Sequence, residues 1–126
     1  MRIVLADDER KVRSALRLLL EELTKDGAEA LCETPCLVEA AGADAVVREL
    51  REERVDLLLL DWELPGMAAG DLVDKVRELS PDCVVIAMSG HPEAARDAVD
   101  HGADAFVSKN EPPDRLVSTL LHRVPV

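Results

Sequence analysis

The chain has 126 residues, which is the length of one globular domain rather than two. Its 26 acidic and 15 basic residues give a net charge of −11 at pH 7, and this negative charge repels the phosphate backbone of nucleic acids. Trp62 and Phe106 are its only residues among Phe, Trp and Tyr, so the core must be aliphatic and offers no platform for stacked bases. We therefore expect no direct binding of nucleic acid.

The sequence shows no targeting or membrane signal. No apolar run approaches the about 18 residues that cross a bilayer, and Met1-Arg2 leads directly into a short apolar run, unlike a signal peptide. The three cysteines are an odd number that fits a reducing compartment, and Cys32 and Cys36 lack the second ligand pair of a metal site. These features predict a cytoplasmic protein without membrane contact.

The predicted elements alternate between short apolar runs and amphipathic stretches. The apolar runs are typical of buried strands, and the one at 36–40, which carries Glu39, is typical of a strand near a sheet edge. The stretches between them carry the apolar stripe of an amphipathic helix. In chain order the elements are strand 3–6, helix 12–23, strand 36–40, helix 46–50, strand 57–60, helix 72–79, strand 84–88, helix 93–101, strand 105–107 and helix 116–121.

Five strand and helix pairs in succession predict a doubly wound α/β fold with an open, five-stranded parallel sheet, because parallel neighbours are joined by right-handed helical crossovers. We assign residues 1–126 to one domain and expect no output domain within this chain. The segment 25–35 is long for a loop and could extend the first helix by a turn. Both alternatives stay open.

Polar side chains follow the apolar runs at the ends where an open parallel sheet binds its ligands. Asp7 and Asp8 follow the first run, Asp61 the third and Ser89 the fourth, while Lys109 lies one residue beyond Ser108 after the fifth. Carboxylates crowded together repel one another, and a bound divalent cation relieves that repulsion.

Hard oxygen ligands favour Mg²⁺, which typically combines one or two carboxylates with phosphate oxygens. A carboxylate beside a metal and a lysine can attack phosphorus and form an acyl phosphate. Asp61 stands alone after its strand and is the better nucleophile, whereas Asp7 and Asp8 are adjacent and better placed to share the metal.

Four segments, in this order and spacing, resemble the receiver domain of bacterial response regulators, the phosphorylated half of two-component signalling. They are LADDE at 5–9, LLDWELPGM at 59–67, MSG at 88–90 and GADAFVSK at 102–109. The resemblance covers essentially the whole chain, and its last segment is most similar to receivers that precede LuxR-type DNA-binding domains. It implies a (βα)5 flavodoxin-like fold with strand order 2-1-3-4-5.

The resemblance also implies the chemistry of the site. Asp61 would accept a phosphoryl group from the phosphohistidine of a sensor histidine kinase. The cofactor would be Mg²⁺, bound by Asp8, Asp61 and the backbone carbonyl of Glu63, with Asp7 acting through water.

Three further residues would respond to phosphorylation. Ser89 would move to a phosphoryl oxygen and Lys109 would pair with the phosphate. An inward turn of Phe106 would accompany the movement of Ser89, so these two residues form the switch. The switched surface would serve a downstream protein, a homodimer or a DNA-binding output domain in a longer parent protein. We expect a signalling switch that catalyses only its own phosphoryl transfer and dephosphorylation, not a metabolic enzyme.

Two positions depart from the common receiver pattern. Asn110 follows Lys109 where many receivers carry proline, which leaves the geometry of that peptide open. Glu63 adds an acid two residues after Asp61, where its side chain could reach the metal or Lys109 and alter the lifetime of the phosphoryl group.

Simpler structural roles compete with these assignments. Asp8 could cap the first helix, Asp61 could belong to the turn before Pro65-Gly66, Ser89 could simply end a strand, and Lys109 could be a solvated surface lysine. Two functional rivals remain. One is a degenerate receiver that acts as a phosphate-independent interaction module. The other is an aspartyl-phosphate phosphatase of the haloacid dehalogenase type, which would need a second Asp where Glu63 stands.

Overall fold

The structure is a computed structural model that describes residues 1–25 and 36–123. Within these residues five strands alternate with five helices, as the hydrophobic pattern predicts. The elements are β1 Arg2–Ala6, α1 Arg10–Lys25, β2 Cys36–Ala40, α2 Ala43–Glu52, β3 Leu57–Asp61, α3 Ala69–Leu79, β4 Val84–Ser89, α4 Ala94–Asp100, β5 Ala105–Ser108 and α5 Pro113–Arg123.

The five strands form one parallel sheet in the order β2-β1-β3-β4-β5, which confirms the predicted doubly wound fold and strand order. β1 lies between β2 and β3, with Leu5 opposite both Glu39 and Leu59. β2 occupies one edge, as its single charged residue indicated. The order in which successive strands are added to the sheet reverses at β1. The carboxyl ends of β1 and β3 therefore flank the crevice where ligands bind in such sheets.

The two faces of the sheet are covered by different helices because side chains alternate along each strand. The four leucines of β3 divide between two aliphatic core clusters. Leu57 and Leu59 pack with residues of α1 and α5, while Leu58 and Leu60 pack with residues of α2 and α3. Both faces are therefore buried, which explains why the strands read as continuous apolar runs rather than alternating ones.

Strand β1 begins one residue earlier than predicted, and three strands extend one residue further at their carboxyl ends. The ladder continues through Asp61, which lies opposite Met88, and through Ser89, which lies opposite Ser108. Polar residues can end these buried strands because the sheet edge there opens toward the site. The question of whether segment 25–35 lengthens the first helix falls on residues 26–35, outside the described ones. Within the described part of the chain, every helix is too short or too polar to span a bilayer.

Candidate functional site

The three carboxylates converge at the carboxyl end of the sheet. Asp7 and Asp8 follow β1, Asp61 ends β3, and one oxygen from each lies within 4.8 Å of the others. Asp7 and Asp61 are 0% and 1% exposed, whereas Asp8 is exposed. The cluster thus has a buried floor and an open side through which a cation can enter.

Backbone donors hold the two buried carboxylates in place. The Glu9 N–H donates to Asp7 Oδ1 at 2.9 Å, and the Glu63 N–H donates to Asp61 Oδ1 at 3.0 Å. Each carboxylate accepts from the residue two positions later, the short-range turn that Asp readily forms. The Arg13 guanidinium also donates to the carbonyl oxygen of Asp7 at 2.7 Å, which ties the loop after β1 to α1.

Lys109 bridges the two buried carboxylates. Its Nζ lies 2.7 Å from Asp7 Oδ2 and 3.2 Å from Asp61 Oδ1, and its side chain is 23% exposed. Its backbone N–H donates to the carbonyl oxygen of Ser89 at 2.8 Å, which fixes the start of the loop after β5 against β4. The interpretation of Lys109 as a solvated surface lysine is therefore wrong.

The electrostatics of the site follow from this packing. Burial raises the pKa of Asp61, and the negative charge of Asp7 raises it further against the lowering effects of the Glu63 amide and Lys109. Burial alone would lower the pKa of Lys109, but its hydrogen bond to Asp7 and the charge of Asp61 prevail and raise it. The lysine is held as a cation, and the site still carries more negative than positive charge.

The Glu63 side chain contacts Ser89 and not Lys109, one of the two partners that the sequence left open. Its carboxylate accepts a hydrogen bond from Ser89 Oγ, at 2.8 Å to Oε1 and 3.0 Å to Oε2, rather than pairing with Lys109. Ser89 is fully buried, and its Oγ also accepts from the His91 N–H at 3.0 Å. The position of Glu63 two residues beyond a strand that neighbours β4 was the available signal for this contact.

The loop after β5 resolves the open question at Asn110. The Lys109–Asn110 peptide is trans. The Asn110 side-chain amide donates to the Gly90 carbonyl oxygen at 2.8 Å, which joins this loop to the one after β4. Phe106, in β5, is half-buried and packs against the core cluster that contains Leu58 and Leu60.

The structural alternatives for the aspartates have different outcomes. The first turn of α1 closes on the Glu9 carbonyl, which accepts from the N–H groups of Val12 and Arg13, rather than on Asp8. Asp61 does take part in a turn, because its carbonyl accepts from the Leu64 N–H at 3.0 Å. Gly66 has φ +105°, as the third position of the predicted type II turn requires.

Sequence reasoning missed a contact between the loop after β3 and α4. Trp62 Nε1 donates to Asp97 Oδ2 at 3.0 Å, and the Trp62 ring lies 6.4 Å from that of His101 between centroids. His101 Nε2 lies 3.4 Å from Asp97 Oδ1. A rare tryptophan directly after Asp61 was the signal in the sequence, but nothing there indicated its partner.

Cys36 and Cys83 stand apart from this site. Cys36 is exposed on β2, whereas Cys83 is buried before β4, where burial raises the pKa of its thiol to about 12. Cys32 lies outside the described residues, so the weighing of Cys32 and Cys36 as a pair stays a prediction.

The donor set fits the predicted cation. Three hard carboxylate oxygens lie close together with an excess of negative charge, and one of the carboxylates, Asp8, faces solvent. The structure thus brings Asp7, Asp8, Asp61 and Lys109 together, while their roles in binding and phosphoryl transfer remain predictions.

Comparison with known proteins identifies the family. The family model of the response regulator receiver domain matches residues 3–121. The chain is 32% identical to the sensory/regulatory protein RpfC of Xanthomonas campestris pv. campestris, over 95% of this chain and 16% of RpfC. It is 29% identical to the response regulator UvrY of Escherichia coli, over 94% of this chain and 51% of UvrY. The chain therefore spans about half, or less, of the length of these relatives.

A solved structure agrees. The solution structure of the beryllofluoride-activated NtrC4 receiver domain dimer has a TM-score of 0.79 and 26% identity, and the match covers 98% of this chain and 95% of that chain. With the family model spanning almost the whole sequence, the chain belongs to the response regulator receiver domains of two-component signalling.

Proposed function

We propose that this receiver domain accepts a phosphoryl group on Asp61 from the phosphohistidine of a sensor histidine kinase, with Mg²⁺ as cofactor. One observation carries the proposal. Asp61 is a buried carboxylate that shares its pocket with two further carboxylates and the Lys109 ammonium group, 3.2 Å from Asp61 Oδ1. A buried strand end gains no stability from so many like charges, so the arrangement favours a role in binding and chemistry.

The proposed step balances as a single displacement. A carboxylate oxygen of Asp61 forms a bond to phosphorus as the phosphorus–nitrogen bond of the phosphohistidine breaks. The electron pair of that bond returns to the imidazole nitrogen of the kinase, and Asp61 becomes an acyl phosphate. Lys109, already held as a cation between Asp7 and Asp61, neutralises charge on the transferred group without having to move far.

The residues proposed to hold Mg²⁺ are Asp8, Asp61 and the backbone carbonyl of Glu63, with Asp7 acting through water. When bound, the ion supplies positive charge against the oxygens of the transferred phosphoryl group. The Glu63 and Glu9 amides keep the buried carboxylates oriented for that role, because each donates to one oxygen and thereby restricts rotation of its carboxyl group.

Phosphorylation would be read out through Ser89 and Phe106. Ser89 lies at the end of β4 and Phe106 lies in the adjacent strand β5, opposite Ala87, so the two proposed switch residues lie on neighbouring strands. The proposed recipients are a downstream protein, a second copy of the domain or a DNA-binding output domain in a longer parent protein. The protein would act as a switch whose catalysis is limited to its own phosphorylation and dephosphorylation, in the cytoplasm.

Incubation with acetyl phosphate and Mg²⁺ tests this function. Intact-mass spectrometry should show the mass gain of one phosphoryl group in the wild type. The gain should be absent in Asp61→Asn and in a metal-chelated sample.

The proposal would be contradicted if the wild type gained no mass. It would also be contradicted if Asp61→Asn gained as much mass as the wild type. The first result would favour a phosphate-independent interaction module. Turnover of a small phosphate ester would favour the phosphatase.

A further inference from the structure

The Ser89 hydroxyl group is already occupied before any phosphoryl group arrives. Ser89 is fully buried, donates to the Glu63 carboxylate at 2.8 Å and accepts from the His91 N–H at 3.0 Å. A hydroxyl has one hydrogen to donate. That hydrogen is committed to Glu63 in this structure.

The proposed switching step needs the same hydrogen. For Ser89 to bind a phosphoryl oxygen on Asp61 it must donate a hydrogen bond, because that oxygen is an acceptor. Ser89 cannot keep its bond to Glu63 and make the new bond together. The Glu63 carboxylate and the phosphoryl oxygen therefore compete for the single hydrogen of the Ser89 hydroxyl.

The geometry makes Glu63 a natural competitor. Its backbone N–H donates to Asp61 Oδ1 while its side chain accepts from Ser89, so a single residue contacts both the proposed phosphoryl acceptor and the switch. The neighbouring strands β3 and β4 fix this arrangement, with Asp61 opposite Met88. A carboxylate offers two acceptor oxygens, and Ser89 Oγ lies within hydrogen-bond distance of both.

We propose that Glu63 is a positioning residue that holds Ser89 in its resting position and competes with the phosphoryl group for the Ser89 hydroxyl. This inference rests on the proposed function. Phosphorylation would break the contact in two ways, by offering Ser89 a second anionic acceptor and by placing negative charge near the Glu63 carboxylate. The hydrogen bond between Ser89 and the phosphoryl group would then have to be stronger than the one between Ser89 and Glu63 for Ser89 to move.

A double-mutant cycle tests the competition. The probe is beryllofluoride in saturating Mg²⁺, and binding is followed by the fluorescence of Trp62, the sole tryptophan, which directly follows Asp61. We expect Glu63→Ala to bind the probe roughly three- to tenfold more tightly than the wild type, which is the usual net contribution of one hydrogen bond. In a Ser89→Ala background, Glu63→Ala should increase the affinity for the probe by less. The remaining increase would come only from removing the negative charge of Glu63 near the probe.

Two further variants separate charge from hydrogen bonding. Glu63→Gln removes the charge but keeps an acceptor oxygen, so its affinity should lie between those of the wild type and Glu63→Ala. Glu111→Ala removes an acidic side chain from the loop after β5 at the same end of the sheet, where the carboxylate pairs with Arg115. It should leave the affinity close to that of the wild type.

A second measurement needs no phosphoryl mimic. The His91 backbone amide donates to Ser89 Oγ, so its NMR chemical shift in the metal-free protein reports on the hydroxyl. We expect this chemical shift to change in Glu63→Ala and to keep its wild-type value in Glu111→Ala. An unchanged His91 amide, or an affinity gain of equal size with and without Ser89, would overturn the inference while the proposed function stands. Failure of the wild type to bind the probe at all would overturn the proposed function and this inference with it.

Discussion

Asp61 occupies a position that costs the folded protein stability. Its carboxylate is buried at the end of β3 beside Asp7, and burial raises its pKa above the ordinary value of 3.8. Lys109 and the Glu63 amide compensate only in part, since the net direction of the shift is upward. A residue chosen for stability alone would be neutral here.

We therefore predict that Asp61→Asn is more stable than the wild type at neutral pH in the absence of metal. An acid whose pKa is raised by folding stabilises the protein below its ordinary pKa, and that contribution is lost as the pH rises through the folded value. The advantage of the variant should thus be small near pH 3.5 and grow above pH 4, in thermal unfolding curves recorded across that range. Asp82→Asn, at an exposed position, is the matched control. A pH-independent difference would contradict this account.

Lys109 is the cation that makes the two buried carboxylates tolerable in the resting protein. Removing it in Lys109→Ala leaves Asp7 and Asp61 buried without their shared partner. We predict a loss of about 3 kcal/mol in the free energy of unfolding at neutral pH, measured by urea denaturation in chelator. The loss should be smaller in an Asp61→Asn background, where one carboxylate is gone. Equal losses in both backgrounds would show that the charge interaction between Lys109 and Asp61 does not stabilise the fold.

The residues of the site were more predictable than their contacts. Asp7, Asp8, Asp61, Ser89 and Lys109 could be placed at one edge from sequence because parallel strands bring their carboxyl ends together. The hydrogen bond from Ser89 to Glu63 could not, because it depends on the path of the loop after β3 and on the rotamer of a long side chain. The sequence pattern constrains neither.

At the scale of elements, a small contact couples the loop after β3 to α4. Trp62 donates to Asp97 and lies beside the His101 ring. Gly70, near the start of α3, makes room for that ring, since a Cβ atom at this position would lie 2.6 Å from His101 Nδ1. The glycine is thus explained by what packs against it, because its backbone does not require one.

This contact predicts that the effect of Gly70→Ala on stability depends on His101. In a helix, alanine is favoured over glycine by roughly 0.5–1 kcal/mol. In the wild-type background we expect no gain, because His101 must rotate away and give up its contacts with Trp62 and Asp97. In a His101→Ala background the gain should appear in full. Chemical denaturation of the four proteins measures this, and the same gain in both backgrounds would contradict the role of His101.

The elements themselves followed from hydrophobic periodicity. The four leucines of β3 could be assigned to a strand buried on both faces because a run of that length between turn residues fits a parallel sheet. Strand ends were misjudged by one residue at Asp61, Ser89 and Ser108, since polar residues usually lie outside buried strands. Here the ladder continues through these polar residues, with Asp61 opposite Met88 and Ser89 opposite Ser108.

At the scale of the whole molecule, negative charge is concentrated where a cation would bind. The chain has a net charge of −11. At the carboxyl ends of the strands, Asp7, Asp8 and Asp61 lie close together, and Lys109 lies beside Asp7. Binding of a divalent cation to the folded state alone must stabilise that state by mass action. Cation binding and folding are therefore linked.

We predict that Mg²⁺ raises the melting temperature of the wild type relative to chelator. At a hundredfold excess of Mg²⁺ over its dissociation constant the stabilisation would be about 2.7 kcal/mol. Asp8→Asn should fold normally, because Asp8 is exposed, but should lose most of the increase. Differential scanning calorimetry with and without Mg²⁺ provides the comparison. An equal increase in Asp8→Asn would place the ion elsewhere.

The proposed function requires that Asp61 binds a phosphoryl group in a site completed by Mg²⁺. The most direct test is a crystal structure of the wild-type chain grown with Mg²⁺ and beryllofluoride. We expect beryllium bonded to the Asp61 carboxylate and the ion held by Asp8, Asp61 and the Glu63 carbonyl. The Ser89 hydroxyl should be released from the Glu63 side chain. An Asp61 carboxylate without the mimic, or an ion bound away from these residues, would contradict it.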